Sequence, residues 1–265
     1  MRHVLIIMSL SANAFLLHGQ FPDSAVWFVD AVRFEVDKLQ NIYLIDGLQN
    51  IRKRTPDGLE VFLYTNLELG ALTTFDTTDP FNLLLYFPGY MTAVQLDRTL
   101  NERGRLAFPE LGFPQVDDVA KSRDNQIWIY DGLRYRLLKI NADAQVLAES
   151  QDLSLLPEGA PNPTELIAAG NYVYLLDPGR GVLIFDAFGQ YAQTVQIDNK
   201  KLLQTLGDQL LLQDGPQLYF LNGQGDLMPL ALPFSIPPTA ELRIAKNHLL
   251  YLQGQELHIR RWRRD

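Results

Sequence analysis

The amino-acid sequence predicts an all-β fold, and two repeating features carry that prediction. The first is a set of six apolar runs of four residues, whose starts lie 41, 44, 46, 37 and 39 residues apart. Each run is rich in Ile, Leu, Val and aromatic residues, which is typical of a buried strand rather than a helix. The runs are Ile42–Ile45, Leu83–Tyr86, Ile127–Tyr130, Val173–Leu176, Leu210–Gln213 and Leu249–Leu252. The second feature is the turn residues that follow each run. Four antiparallel strands in about forty residues make one propeller blade, so the repeats predict a six-bladed β-propeller with four strands per blade.

The turns after the apolar runs share one chemistry. Four of them begin Asp46-Gly47, Asp131-Gly132, Asp177-Pro178-Gly179 and Asp214-Gly215. Because Asp can accept a hydrogen bond from the backbone two residues on, and Gly tolerates positive φ, we expect each to close a tight hairpin. A second set of turns joins the third strand of a blade to the fourth. Ala144 stands where the other four turns of this set have Gly, which predicts a looser turn there.

The last repeat lacks its fourth strand. It holds three strands, at Glu241–Ala245, Leu249–Leu252 and Glu256–Trp262, whereas a spare apolar stretch, Ala25–Val29, precedes the first full repeat. If that stretch is the outer strand of the sixth blade, the ring closes and no sheet edge is left between the first and last blades. We expect Val26 and Phe28 to make its apolar contacts. Residues 21–265 then form one propeller domain.

Three of the repeats carry a recognisable motif. Asp118 to Asp131 resembles the NHL-type repeat, in which a strand, a polar turn with Asn and a second strand ending in Asp recur. The segments Phe34–Asp46 and Gly170–Asp177 resemble it in the same way, and the other three repeats keep only the apolar pattern. The resemblance implies a six-bladed propeller. It implies no single activity, because this fold hosts many functions.

The first twenty residues have the pattern of a signal peptide. Arg2 is their only Lys, Arg, Asp or Glu, and the apolar run Val4–Leu17 that follows is too short to cross a membrane. We therefore expect residues 1–20 to be removed and the protein to be exported, to the periplasm or to the outside of the cell.

The composition excludes several classes of function. The 265 residues include 23 Lys and Arg, 31 Asp and Glu, and no Cys, with a net charge of −8 at pH 7. A chain without Cys has no disulfides, thiol nucleophile or thiolate metal site. Its acidity argues against nucleic acid as a partner, because the phosphate backbone selects clustered Lys and Arg. No later segment reaches the length of a transmembrane helix.

Acidic residues recur near the starts of the strands that would line the central channel. We predict a binding surface at this channel mouth, formed by Glu35, Asp76, Asp117, Asp118, Glu165 and Glu241 with Arg134 and Arg180. Carboxylates that converge on a channel suit Ca²⁺, although a solvated acidic rim on an acidic protein is the simpler explanation. No resident cofactor is predicted, and Ca²⁺ is the ion this set would suit.

Two functions from different classes fit these residues. One is a non-catalytic, secreted or periplasmic, monomeric propeller that binds a protein or glycan partner of the cell envelope through one loop-rich face. There Asp76, Asp118 and Glu165 would set a negative potential that favours a basic or cation-bridged ligand. The other is a calcium-dependent hydrolase, because some six-bladed propellers that are similar to this chain are lactonases of the gluconolactonase type. Only His248 and His258 remain after residue 20, and no Gly-x-Ser-x-Gly motif is present, so the binding function is favoured.

We predict that the mature protein begins at Gln20 or Phe21. The basis is the charge at Arg2 and the apolar run after it, which together form an export signal. N-terminal sequencing of protein exported by a bacterial host measures this directly. An intact Met1 in the exported fraction would contradict the prediction.

Overall fold

The computed structural model describes residues 21–197, 201–232, 234–237 and 240–262, and it is a six-bladed β-propeller. The predicted signal peptide lies outside the described residues. Blade one consists of β2 (Arg33–Val36), β3 (Ile42–Ile45), β4 (Ile51–Arg54) and β5 (Glu60–Tyr64). Blade two consists of β6 (Thr74–Asp76), β7 (Leu83–Phe87), β8 (Thr92–Leu96) and β9 (Glu102–Ala107). Blade three consists of β10 (Val116–Lys121), β11 (Ile127–Asp131), β12 (Arg136–Ile140) and β13 (Val146–Glu149). Short 3₁₀ turns lie at Pro88–Tyr90, Phe108–Leu111 and Leu153–Leu155.

Blades four to six complete the ring. Blade four consists of β14 (Glu165–Ala169), β15 (Tyr172–Asp177), β16 (Gly181–Asp186) and β17 (Tyr191–Val195). Blade five consists of β18 (Lys201–Leu206), β19 (Gln209–Asp214), β20 (Gln217–Leu221) and β21 (Leu227–Leu230). Blade six consists of β22 (Glu241–Ala245), β23 (His248–Gln253) and β24 (Glu256–Arg261), with the N-terminal strand β1 (Ser24–Phe28) as its outer strand. All pairs within the blades are antiparallel. Among the described residues, no helix has the length and apolarity to span a bilayer.

The N-terminal strand closes the ring, as the sequence predicts. Strand β1 pairs antiparallel with β24, with Ala25 opposite Ile259 and Trp27 opposite Leu257. The expectation about its contacts is wrong, because the register turns Val26 and Phe28 outward, leaving the Phe28 side chain 77% exposed. Ala25 and Trp27 pack instead on the apolar cluster between blades six and one. Since side chains alternate along a strand, a shift of one residue in register moves the whole apolar set to the other face.

The core lies between the blades rather than inside one. Six clusters of buried apolar side chains fill the six spaces between neighbouring blades. Strand β3 shows the cause: Tyr43 and Ile45 face blade two, while Ile42 and Leu44 face blade six. A strand that is covered on both sides needs apolar residues at every position, which explains why the runs are continuous rather than alternating.

The turns between the second and third strands depend on side-chain hydrogen bonds more than on the glycine that follows each Asp. The Asp46 carboxylate accepts from the backbone N–H groups of Leu48 and Asn50 at 2.9 and 3.0 Å. The left-handed residue of that turn is Gln49, with φ 67°, and not Gly47 as expected. In the turns after Asp131 and Asp177, the positive φ likewise falls on a later residue than expected, on Tyr135 and on Gly181. Only after Asp214 does the expected glycine, Gly215, have the positive φ.

The turn that ends at Ala144 is as tight as its counterparts, contrary to the expectation. The Ala144 N–H donates to the Asn141 carbonyl oxygen at 3.0 Å, with φ 60° at Ala144. The Asn141 side chain accepts from the N–H groups of Asp143 and Gln145 at 3.0 and 2.9 Å. These two bonds offset the cost of a left-handed alanine, which is of order 1–2 kcal/mol.

The register of β1 predicts a sharp difference between two neighbouring aromatic residues. Trp27→Ala should lower the free energy of unfolding by about 2–3 kcal/mol, because it removes apolar contacts at the seam between blades six and one. Phe28→Ala should change it by less than about 0.5 kcal/mol, because that ring already lies in solvent. Urea unfolding of the two variants measures both values. Equal losses, or a larger loss for Phe28→Ala, would show that the strand is set in the other register.

Candidate functional site

The inner strands of the six blades surround a central channel with a cavity of about 850 Å³. The first strand of each blade contributes one residue to the channel at the same register position. That residue pairs with the last residue of the apolar run in the second strand, just before the turn. We call these residues the channel ring: Arg33, Thr74, Asp118, Glu165, Lys201 and Glu241. The ring carries charges of both signs, so the channel is less uniformly acidic than the sequence suggested.

Below the ring, Glu35 is held by a cation that sequence reasoning missed. The Arg243 guanidinium donates from Nε and Nη2 to the two Glu35 carboxylate oxygens at 2.7 and 2.6 Å. Its Nη1 donates to the Leu242 carbonyl oxygen at 2.8 Å. The neighbouring carboxylates raise the pKa of Arg243 despite its burial. This bidentate pair joins blade six to blade one, so Glu35 has a structural role and is not free to bind a ligand.

Asp118 also bonds across a blade boundary. Its carboxylate accepts from the Leu166 backbone N–H of blade four at 2.7 Å and from the Thr74 hydroxyl of blade two. Burial raises the pKa of Asp118 to about 6, although these hydrogen bonds oppose the shift. Because all its donors are neutral, the charge on Asp118 has no cationic partner among them.

The Glu165 carboxylate has neither a hydrogen bond nor an ion pair to any described residue. It lies on blade four beside the backbone N–H that binds Asp118. Burial and then the negative charge of Asp118 raise the pKa of Glu165 to about 7, against the smaller effects of Arg243 and Lys201. Asp118 and Glu165 are therefore two coupled acids, and near neutral pH they compete for ionisation.

Two other predicted acids lie elsewhere. A bulge between Val116 and Asp118 turns Asp117 outward, where Gln115 Nε2 donates to it at 3.0 Å and its carboxylate covers Gly132. The Asp76 carboxylate lines the channel below the ring, and accepts from the N–H groups of Thr78 and Lys121 at 2.9 and 3.2 Å. Asp117 therefore lies outside the channel, and Asp76 is held by two backbone N–H groups.

The remaining predicted residues divide between the ring and the loops. Glu241 is in the ring, 3.6 Å from the ammonium of Lys201. Arg180 is committed to the crossing between blades three and four: it donates to the Gly159 carbonyl oxygen at 2.8 Å and to that of Ala160. Arg134 is exposed, with Nη1 3.6 Å from the Asp131 carboxylate.

Sequence reasoning missed half of the ring, namely Arg33, Thr74 and Lys201. The signal that could have found them is the repeat itself, since each lies at a fixed register against the strand that follows. Among the described residues, no three Asp, Glu or His side chains converge in a way that could hold a metal ion. His248 and His258 pack against Phe21 and Tyr251, away from the residues that line the cavity.

The two ends of the propeller differ in their exposed side chains. We call the end with the inter-blade crossings and the second-to-third-strand turns the crossing face, and the other end the hairpin face. Among the described residues, the crossing face exposes nine large apolar side chains, which we call the apolar arc: Phe28, Val32, Leu48, Leu67, Tyr90, Leu111, Leu133, Tyr135 and Leu155. All nine lie between the end of β1 and the crossing that leads to blade four. In the described part of blades four to six, the turns and crossings of this face expose no large apolar side chain.

No family model matches the sequence, and no curated protein matches it. Among solved structures, the chain is similar to a catalytically inactive virginiamycin B lyase from Staphylococcus aureus with quinupristin, at 10% identity and TM-score 0.61, covering 89% of this chain and 98% of that one. It is similar to a streptogramin B lyase at 11% identity and TM-score 0.59, covering 91% and 88%. It is also similar to PorZ, an essential surface component of the type-IX secretion system of Porphyromonas gingivalis, at 15% identity and TM-score 0.54, covering 80% of this chain and 28% of that one. These likenesses establish the propeller fold alone.

The raised pKa of Glu165 predicts an unusual dependence of stability on pH. A carboxyl whose pKa rises on folding contributes stability below its unfolded value, near 4.5, and loses that stability as the pH rises through about 7. Glu165→Gln cannot ionise, so its stability advantage over wild type should grow by about 2 kcal/mol between pH 5 and pH 8. Urea unfolding at both pH values measures this advantage. Glu110→Gln, at an exposed position, is the control, and an advantage for Glu165→Gln that stays constant with pH would contradict the prediction.

Proposed function

We propose that this protein is an exported, non-catalytic propeller that binds a protein partner through its crossing face, beside the channel mouth. The observation that carries the proposal is the apolar arc. Single exposed apolar residues are normal on a soluble protein, but a set gathered on one part of one face is typical of a binding surface. The arc includes Leu67 and Leu155, which are 89% and 80% exposed. Burying such side chains against a partner would contribute favourable free energy at about 25 cal/mol per Å².

The residues of the channel support a structural role for the channel itself. Glu35, Asp76 and Asp118 each bond to a neighbouring blade, so three of the carboxylates that line the channel link one blade to the next. A calcium-dependent hydrolase requires several oxygen ligands around one ion, and no observation of the channel favours that alternative. The loops are then the part of the molecule left for recognition.

An aliphatic arc favours a protein over a glycan as the partner. Six of its nine members are Leu or Val, whose side chains cannot donate or accept hydrogen bonds to sugar hydroxyls. The export signal expected from Arg2 and the run after it would deliver the protein to the cell envelope. The likeness to PorZ, a bacterial surface component, is consistent with that location.

The proposal is tested by capture of partners from a cell-envelope extract. The arc variant Leu48→Ser/Leu133→Ser/Leu155→Ser should capture its specific partner at least about tenfold less than wild type, because contacts at the centre of an interface carry most of the affinity. The control variant Leu59→Ser/Phe81→Ser/Phe188→Ser removes three exposed apolar side chains from the hairpin face, and it should capture as wild type does. Quantitative mass spectrometry of the captured proteins measures both. Unchanged capture by the arc variant, or a loss confined to the control variant, would overturn the proposed function.

A further inference from the structure

The charges around the apolar arc identify the kind of protein segment that it fits. The turns and crossings that carry the arc, together with the bulge at the start of β10, expose five carboxylates, which we call the acidic rim: Asp30, Glu68, Glu110, Asp117 and Glu158. The same segments contain one exposed cation, Arg134. A partner that covers the arc must bring its own charges close to this rim. The partner's charges that would complement the acidic rim are therefore positive, from Lys or Arg side chains.

Most of the rim is not neutralised within the chain. Arg105 lies 3.5 Å from Glu68, and Arg52 lies at 4.0 Å from Asp30, which is a marginal distance for an ion pair. No described cation lies within ion-pair distance of Glu110, Asp117 or Glu158. Glu110 directly precedes Leu111, and Glu158 lies three residues after Leu155, so apolar and acidic groups lie close together on the crossings that follow blades two and three.

We propose, as an extension of the proposed function and resting on it, that the partner presents a basic amphipathic segment to the crossing face. Its apolar side chains lie on the apolar arc, and its Lys or Arg side chains pair with the acidic rim. Amphipathic segments are recognised through apolar anchor residues, and complementary charges around the anchors add specificity. The segment lies over the end of β1 and blades one to three, and it leaves the crossing face of blades four and five uncovered.

The same charges argue against a membrane as the occupant of the arc. Amphipathic surfaces that bind bilayers carry Lys and Arg beside their apolar side chains, because the headgroup region is often anionic. Here carboxylates take those places, and the whole chain has a net charge of −8. A bilayer would thus be repelled by the side chains that attract a basic segment.

The test uses synthetic peptides as probes, with fluorescence anisotropy of the labelled peptide as the readout. The first probe is an amphipathic peptide of Leu and Lys. The second has Glu in place of Lys, and the third keeps Lys but has Ser in place of Leu. The proteins are wild type, the arc variant, the control variant of the hairpin face, and the rim variant Glu110→Gln/Asp117→Asn/Glu158→Gln.

We expect the Leu/Lys peptide alone to bind wild type, and to bind the control variant equally well. The rim variant should weaken binding about threefold to tenfold and flatten its dependence on salt, because exposed charge pairs are screened. The arc variant should weaken binding at least about tenfold. Equal binding of the Leu/Glu peptide, or an unchanged affinity of the rim variant, would overturn the inference, as would stronger binding to anionic lipid vesicles than to any peptide. If the arc variant still loses its captured partner while the Leu/Lys peptide fails to bind, the basic segment is wrong and the proposed function stands. If the arc variant keeps its captured partner and the Leu/Lys peptide fails to bind, both the basic segment and the proposed function are wrong.

Discussion

The whole molecule depends on the burial of apolar surface between neighbouring blades. No blade has a core of its own, and each is stable only because both of its faces lie against another sheet. Closure of the ring follows from this requirement. Without β1, the sixth blade would end at β24 and present an unpaired edge, while Phe34 and the rest of its cluster would lose part of their cover.

This packing explains why the charged residues of the channel act as structural links. The inner strands surround the channel, where several of their side chains reach across to the next blade. Arg243 with Glu35, and Asp118 with the Leu166 N–H, therefore bond from one blade to another. Glu165 differs because its neighbours supply no donor, so burial falls on an unpaired acid and its pKa rises. The channel tolerates this cost because the acid can bind a proton near neutral pH.

The same commitment leaves recognition to the loops. Side chains in the strands are fixed by packing, whereas crossings such as the one through Leu155 lie outside the core and can vary without opening it. The two halves of the crossing face differ in the side chains that their loops expose. Apolar and acidic side chains gather from the end of β1, the outer strand of blade six, round to the crossing that follows blade three. The described second-to-third-strand turns and crossings of blades four to six expose no large apolar side chain. A partner that covers the arc therefore lies to one side of the channel.

The sequence by itself determined the number of blades, the strand that closes the ring and five of the acids that line the channel, namely Glu35, Asp76, Asp118, Glu165 and Glu241. These follow from local patterns: the apolar runs, the Asp turns, and a spare strand at one end of the chain with a gap at the other. Only the tertiary structure decided which side chains are available. A bulge selects Asp118 over Asp117 for the channel, and the register of β1 selects Trp27 over Phe28 for the seam. The partner of Glu35 stands 208 residues away, so no local pattern could reveal it. The physical reason is that alternation along a strand is read from the sequence, whereas its phase is set by hydrogen bonds to a distant strand.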